Sequence, residues 1–208
     1  MLSIDSLIVE FDKGLRALLG VPRAARPMPG EALAEPDLTR AERREGAALM
    51  RVNHCGEICA QALYQGQALA SDDAELKRAL AQAALEEEDH LAWTEQRIAE
   101  LGGRTSLLNP LWYAGSLAIG FAAGKCGDAW NLGFLKETER QVERHLQGHL
   151  NRLSAKDLRT RAVIAAMQGE EAGHARTAEA LGAEELPRIV RGGMAAAARV
   201  MTTVSYWV

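Results

Sequence analysis

Two copies of one acidic pattern constrain this chain more than anything else in it. Glu57 is followed 30 residues later by Glu87-x-x-His90, and Glu139 is followed 32 residues later by Glu171-x-x-His174. Side chains three apart leave an α-helix on the same face, so each Glu-x-x-His pair offers a carboxylate and an imidazole to one point. A helix, a short turn and the next helix fill an interval of that size, which puts each lone glutamate one helix before the pair it precedes. The chain must therefore turn four acidic helix faces toward a common centre.

Four carboxylates and two imidazoles, one Glu from each of two helices and a Glu-x-x-His from each of the other two, are the inward-facing ligand set of ferritin-like di-metal bundles. Their summed negative charge suits a pair of iron or manganese ions. The competing reading is solvated surface charge. On composition alone, roughly one histidine in ten has a Glu three residues before it, so two such hits among five histidines prove little. Chance does not explain their placement in two amphipathic helical stretches, each preceded at helix-pair spacing by another Glu on an apolar face.

A chain of 208 residues, 48% hydrophobic and 25% charged, supports one globular domain with a substantial core. Aromatics are scarce at 5%, while Ala and Leu recur at helical spacing, so the expected class is all-α with no sheet. A net charge of −4 and the lack of interleaved basic and aromatic residues argue against nucleic acid as a partner. Arg188, Arg191 and Arg199, beside the apolar C-terminus, are suited to anionic lipid head groups or to a plain solvated helix flank. Cys55, Cys59 and Cys126 are odd in number and lack zinc spacing, which fits a reducing compartment. Cys55 and Cys59 fall opposite Glu57 on a helix drawn at 100° per residue and read as small buried residues. The opening MLSIDSLIVEFDKGL has acids within its apolar region and no basic leader, unlike a secretory signal.

Along the chain, Leu7, Ile8, Phe11, Leu15, Leu18 and Leu19 form the stripe of a short amphipathic helix, expected to pack on the bundle or rest on a membrane. Pro22, Pro27, Pro29 and Pro36 make residues 20–37 an extended connector. Residues 1–38 thus precede a helical domain over 39–208. Thr39 with Glu42 has capping-box spacing and opens a first bundle helix to about Ala70, carrying Asn53, Glu57 and Tyr64. Asp72 with Glu75 opens a second, with Leu80, Ala83, Glu87, His90, Leu91, Thr94 and Ile98 inward, stopped by Gly102 and Gly103. Asp128 to about Leu153 forms a third, with Leu132, Leu135, Glu139, Val142 and Leu146 on one side. Ser154 with Asp157 opens a fourth, through Val163, Ile164, Met167, Glu171, His174 and Ala178 to Gly182.

Two apolar segments lie outside those four helices. Residues 107–124 carry no charge, and Asn109-Pro110 reads as an N-cap with Pro at the first helical position. A helix from Pro110 to Gly124 rises only about 22 Å, short of the roughly 30 Å hydrocarbon core. A buried crossover or a half-inserted surface helix is expected rather than a span. A last helix after Pro187 ends with Tyr206 and Trp207, aromatic residues of the kind found at a lipid interface or capping a bundle.

With these segments placed, RVNHCGEICAQALYQGQ at 51–67, EEEDHLAW at 86–93, ETERQVERHL at 137–146, GEEAGH at 169–174 and RTSLLNPLWY after the second helix resemble the bacterial demethoxyubiquinone hydroxylase family of ubiquinone biosynthesis. The resemblance runs from about residue 40 onward. It implies a ferritin-like four-helix bundle with added apolar crossover and C-terminal helices, peripheral on the cytoplasmic face of the cell membrane. It further implies a di-iron monooxygenase that uses O2 to hydroxylate the ring of a polyprenylated benzoquinol, with two iron ions per subunit. Carried over motif by motif, the ligands are Glu57, Glu87, His90, Glu139, Glu171 and His174, with Glu87 and Glu171 bridging. Helical phase and motif together favour Glu139 over Glu137 and Glu143. A lipid-presenting accessory protein and other ubiquinone-pathway enzymes are implied partners. Arg51, Asn53, His54, Tyr64 and His145 are candidates to support the ligands from behind. An iron-storage subunit and a non-catalytic lipid-binding helical protein are the rival classes.

Overall fold

The computed structural model describes residues 4–208; the side chains of Ser6 and Leu7, the latter assigned above to the first apolar stripe, lie outside that description. Among the described residues there are seven helices and no strand: α1 (Ile4–Leu19), α2 (Arg40–Ala70), α3 (Ala74–Glu100), α4 (Asn109–Gly124), α5 (Asp128–Arg152), α6 (Leu158–Ala180) and α7 (Arg188–Ser205). The architecture is all-α and ferritin-like. α2 pairs with α3, α5 with α6, and the two pairs close on each other, while α4 forms the crossover between them.

Helix α2 starts as its spacing predicts. The Thr39 hydroxyl accepts from the Glu42 amide at 3.3 Å, and the Thr39 amide donates to the Glu42 carboxylate at 2.8 Å, satisfying two end groups in a reciprocal box worth about 1 kcal/mol. Three other starts shift by a residue or more. The cap of α3 is Asp73 rather than Asp72, because it is the Asp73 carboxylate that reaches the Leu76 amide, at 2.7 Å. The cap of α6 is Asp157 rather than Ser154, whose hydroxyl donates instead to Glu42 at 2.7 Å and ties the starts of two helices together. Asn109 lies inside α4 rather than capping it; Leu108 takes the cap position, with no side-chain bond.

The inward faces place the acidic residues with some precision. One apolar cluster gathers Leu49, Met50, Trp93, Ile98, Leu146 and Met167; a second gathers Tyr64, Leu80, Ala83, Leu132, Leu135 and Ala178. On all four bundle helices the pattern glutamates and histidines fall between the residues of the first cluster and those of the second. They form one polar layer with apolar packing above and below. Fully burying a Leu or Met contributes roughly 1.5–3 kcal/mol, so these two clusters can hold an unfavourable buried charge layer in place.

The proline-rich connector belongs to this packing, since Met28 and Leu38 are both buried in the first cluster. The crossover is not wholly buried. α4 presses one face on α2 so closely that a Cβ on Gly66 would stand 2.3 Å from the Leu117 carbonyl oxygen, and one on Gly120 2.3 Å from that of Leu63. Only glycine admits this backbone-to-backbone approach. The opposite face leaves Leu111, Ile119 and Phe121 exposed. α1 packs beside it, with Gly14 against the Tyr113 ring, and leaves Ile8, Phe11 and Leu15 outward. α7 lies on the surface with only Ser205 buried, and Arg51 holds the chain end through the Tyr206 carbonyl at 2.9 Å. No helix among the described residues is long and apolar enough to cross a membrane.

Candidate metal centre

All six pattern residues meet in the polar layer, each no more than 9% exposed. Their ligand atoms form two overlapping groups in which every atom lies within 4.8 Å of the others: Glu57, Glu87, His90 and Glu171 in one, Glu87, Glu139, Glu171 and His174 in the other. Glu87 and Glu171 belong to both. Donors held roughly 2.1 Å from one ion stand at most about 4.2 Å apart, so groups gathered within 4.8 Å are close to the size of a coordination sphere, and the shared carboxylates fall where two such spheres would touch.

Each imidazole turns Nδ1 inward. His90 Nδ1 lies 2.8 Å from Glu87 and 3.6 Å from Glu171, and His174 Nδ1 lies 3.4 Å from Glu171 and 3.5 Å from Glu87. The outer nitrogens are held across the bundle by the glutamate that precedes the opposite pair: His90 Nε2 meets Glu170 at 3.0 Å, and His174 Nε2 meets Glu86 at 2.9 Å. A carboxylate accepting at Nε2 fixes the tautomer that leaves Nδ1 free for a metal. The Tyr64 hydroxyl donates to Glu139 at 2.5 Å and lies 3.2 Å from Glu87. Burial, then the charges of Glu139, Glu87 and Glu171, push the Tyr64 pKa well above 10, so it stays a neutral donor.

The electrostatics show a cluster that demands cations. Burial, followed by the charges of Glu87 and Glu171, pushes Glu57 well above the ordinary carboxylate value; burial and then Glu171 do the same to Glu139. Burial also pushes Glu171 up, but the imidazoles of His174 and His90 facing it outweigh burial and bring it below the ordinary value. Burial opposes charge on His174, yet its close contact with Glu171 and the charges of Glu87 and Glu171 lift it to about 9. Where no metal sits, protons on these groups must offset the buried negative charge. Glu171 Oε2 and His174 Nδ1 are buried 3.4 Å apart without hydrogen-bond geometry, two ligand atoms placed so that one ion could take both. Hard oxygen and imidazole nitrogen donors suit iron or manganese, so the residues fit the ions that the pattern implies.

The supporting candidates divide. Tyr64 stands at the cluster. Arg51 bonds instead to the carbonyls of Arg104 and Tyr206, and the Asn53 amide to Met50 Sδ. Among the described residues His54 makes no hydrogen bond to the six. His145 stacks edge-on against His149 at 4.0 Å, lining a surface cavity with Arg152, Thr202, Tyr206 and Trp207. Glu137 takes bonds from Gln141 and Arg144 and lies outside the cluster. The functions of Glu86 and Glu170 were missed, although the doubled acid in Glu86-Glu87 and Glu170-Glu171 repeats with the motif.

Buried neutral histidines bring an acid sensitivity. Burial, then His145 and Arg152, lower the His149 pKa to about 2, below its ordinary 6.5. From pH 6.5 downward the unfolded chain binds a proton there that the folded chain refuses, so this group's contribution to stability is present above 6.5 and falls with acidification, by up to about 1.4 kcal/mol per pH unit. His149→Leu is therefore expected to gain on the parent by roughly 1 kcal/mol per pH unit between pH 6.5 and 5.5. Urea unfolding of both proteins at the two pH values checks this. A stability difference independent of pH would show that His149 titrates normally.

Comparison with known proteins places this cluster in context. The family model described as ubiquinone biosynthesis protein COQ7 matches residues 44–205. A 3-demethoxyubiquinol 3-hydroxylase of Nitrosospira multiformis is 60% identical over 208 residues, the whole of both chains. Another of Aromatoleum aromaticum is 59% identical over 203 residues, 98% of each. A third, of Nitrosomonas europaea, is 56% identical over the whole of both chains.

Proposed function

Since the chain belongs to the COQ7 family of ubiquinone biosynthesis proteins, we propose that it is an O2-dependent 3-demethoxyubiquinol 3-hydroxylase working with two iron ions per subunit. The observation that carries this is the pair of overlapping four-residue groups sharing Glu87 and Glu171. In the reaction a ring C–H becomes C–OH: one oxygen atom of O2 enters the ring, and the other leaves as water with two electrons and two protons. Bound iron supplies the redox chemistry that activates O2. The protein contributes placement and dryness. Glu57, Glu87 and His90 would hold one ion, Glu139, Glu171 and His174 the other, with Glu87 and Glu171 reaching both. Tyr64 keeps a proton at its hydroxyl beside Glu139, and the apolar clusters on either side exclude water.

The test is rescue. In cells deprived of their own hydroxylase, this chain is expected to restore ubiquinone and clear the demethoxy precursor; a persistent precursor with folded protein present would overturn the assignment.

A polyprenylated quinol resides in a bilayer, and the outward residues Ile8, Phe11 and Leu15 of α1 with Leu111, Ile119 and Phe121 of α4 form the surface suited to meet it. We place the chain as a peripheral protein on the cytoplasmic face of the cell membrane, able to work with a lipid-presenting accessory protein and other enzymes of the pathway. The purified protein is expected to float with vesicles, and Phe11→Asp with Phe121→Asp to lose most of that binding. Equal flotation of parent and double variant would remove this surface from the proposal.

A further inference from the structure

The two halves of the cluster are built alike but are not supported alike, and the difference comes from the connector. Arg26 forks onto Glu170, Nη1 to Oε1 at 2.7 Å and Nη2 to Oε2 at 2.9 Å, while its Nε makes a short bond to Asp89. The strap is itself secured. The Ala25 amide donates to Asp89 at 2.6 Å, the Trp93 indole donates to the Arg26 carbonyl at 3.2 Å, and the guanidinium lies 4.9 Å above the Trp93 ring. Glu170 in turn accepts from His90 Nε2. On the other side Glu86, which holds His174, takes among the described residues only a neutral bond from Gln82 on its own helix, at 2.8 Å.

A bidentate arginine sets the plane and position of a carboxylate, which one amide bond does not, and its charge offsets the acids around it. Resting on the metal reading above, we propose that Arg26 is the positioning residue for His90. Through Glu170 it locks the imidazole with Nε2–H outward and Nδ1 inward, so the ion at the Glu57–His90 position is held more firmly than the ion at the Glu139–His174 position. Arg26 lies outside the residues 44–205 that the family model matches, so the segment before the bundle acquires a function at the centre.

The full chain loaded with cobalt(II) tests this. Wild type is expected to release its two ions to a chelator in two phases. Arg26→Met should accelerate the slow phase tenfold or more, within the range for losing a residue behind a ligand, and leave the fast phase unchanged. Arg26→Lys keeps the charge without the fork and should fall between. In proton spectra of the dicobalt protein, one of the two exchangeable imidazole N–H signals should be lost to solvent exchange in Arg26→Met while the other persists, a selectivity that general loosening of the fold does not produce. A single release phase in wild type, equal acceleration of both phases, or an unchanged slow phase would overturn the inference. Should Arg26→Met not fold, an unchanged slow phase in Arg26→Lys overturns it equally. A wild type that binds no cobalt would instead end the metal reading itself.

Discussion

Glu171→Ala is expected to abolish hydroxylation, with the demethoxy precursor accumulating in cells and the purified chain retaining less than about a tenth of its metal. The reason is that Glu171 belongs to both four-residue groups, so its loss opens both spheres at once. Residues that only orient ligands cost about 10–100-fold in affinity or activity when lost, and a shared ligand should exceed that range. Glu57→Ala, which removes a member of one group, provides the contrast: it should leave about one ion per chain. Metal content and quinone profile are read on the same two variants. Normal ubiquinone in Glu171→Ala, or equal metal loss in both variants, would contradict a centre built on shared carboxylates.

The second large effect concerns stability and lies away from the metal layer. Arg97 on α3 has no exposed surface and bonds to Asp157 at 2.9 Å and Thr160 at 2.8 Å at the start of α6, and to Glu35 of the connector and Glu100 at 2.8 Å each. One guanidinium thus ties the connector and two bundle helices together. Arg97→Leu leaves the buried Asp157 carboxylate without its cation, a loss that typically costs 3–5 kcal/mol. For a chain of this size each kcal/mol lowers the melting temperature by roughly 2–4 °C, so a fall of about 10 °C is expected. Metal content at low temperature should be retained, because Arg97 bonds to none of the six. A melting temperature within 2–4 °C of the parent, about one kcal/mol, would mean the network contributes little.

Much of the fold is legible in the sequence, and the reason is periodicity. Apolar residues at three and four spacing on α3, α5 and α6 put Leu80, Ala83, Leu132, Leu135, Val163 and Met167 inward, and the structure buries all of them. The acids on those same stripes had to come inward with them. Helix starts were less legible, because local capping signals compete. Asp72 and Asp73 are equivalent as letters, and Ser154 lost the cap to Asp157 when its hydroxyl found Glu42 across the bundle. His54 and His145 carried motif resemblance but bond to none of the six.

The sequence by itself determined the all-helical class, the four inward acidic faces and the family, since helix phase and motif wording are properties of the chain read in order. Only the tertiary structure decided which atoms face which. That Glu86 holds His174 and Glu170 holds His90 depends on two helices crossing at one height, and no spacing within either helix encodes it. That Arg26 reaches Glu170 across 144 residues depends on the connector lying down over α3 and α6, where Met28 and Leu38 find a core to enter. Hydrophobic burial brought the connector there, and a charged fork then had a carboxylate within reach.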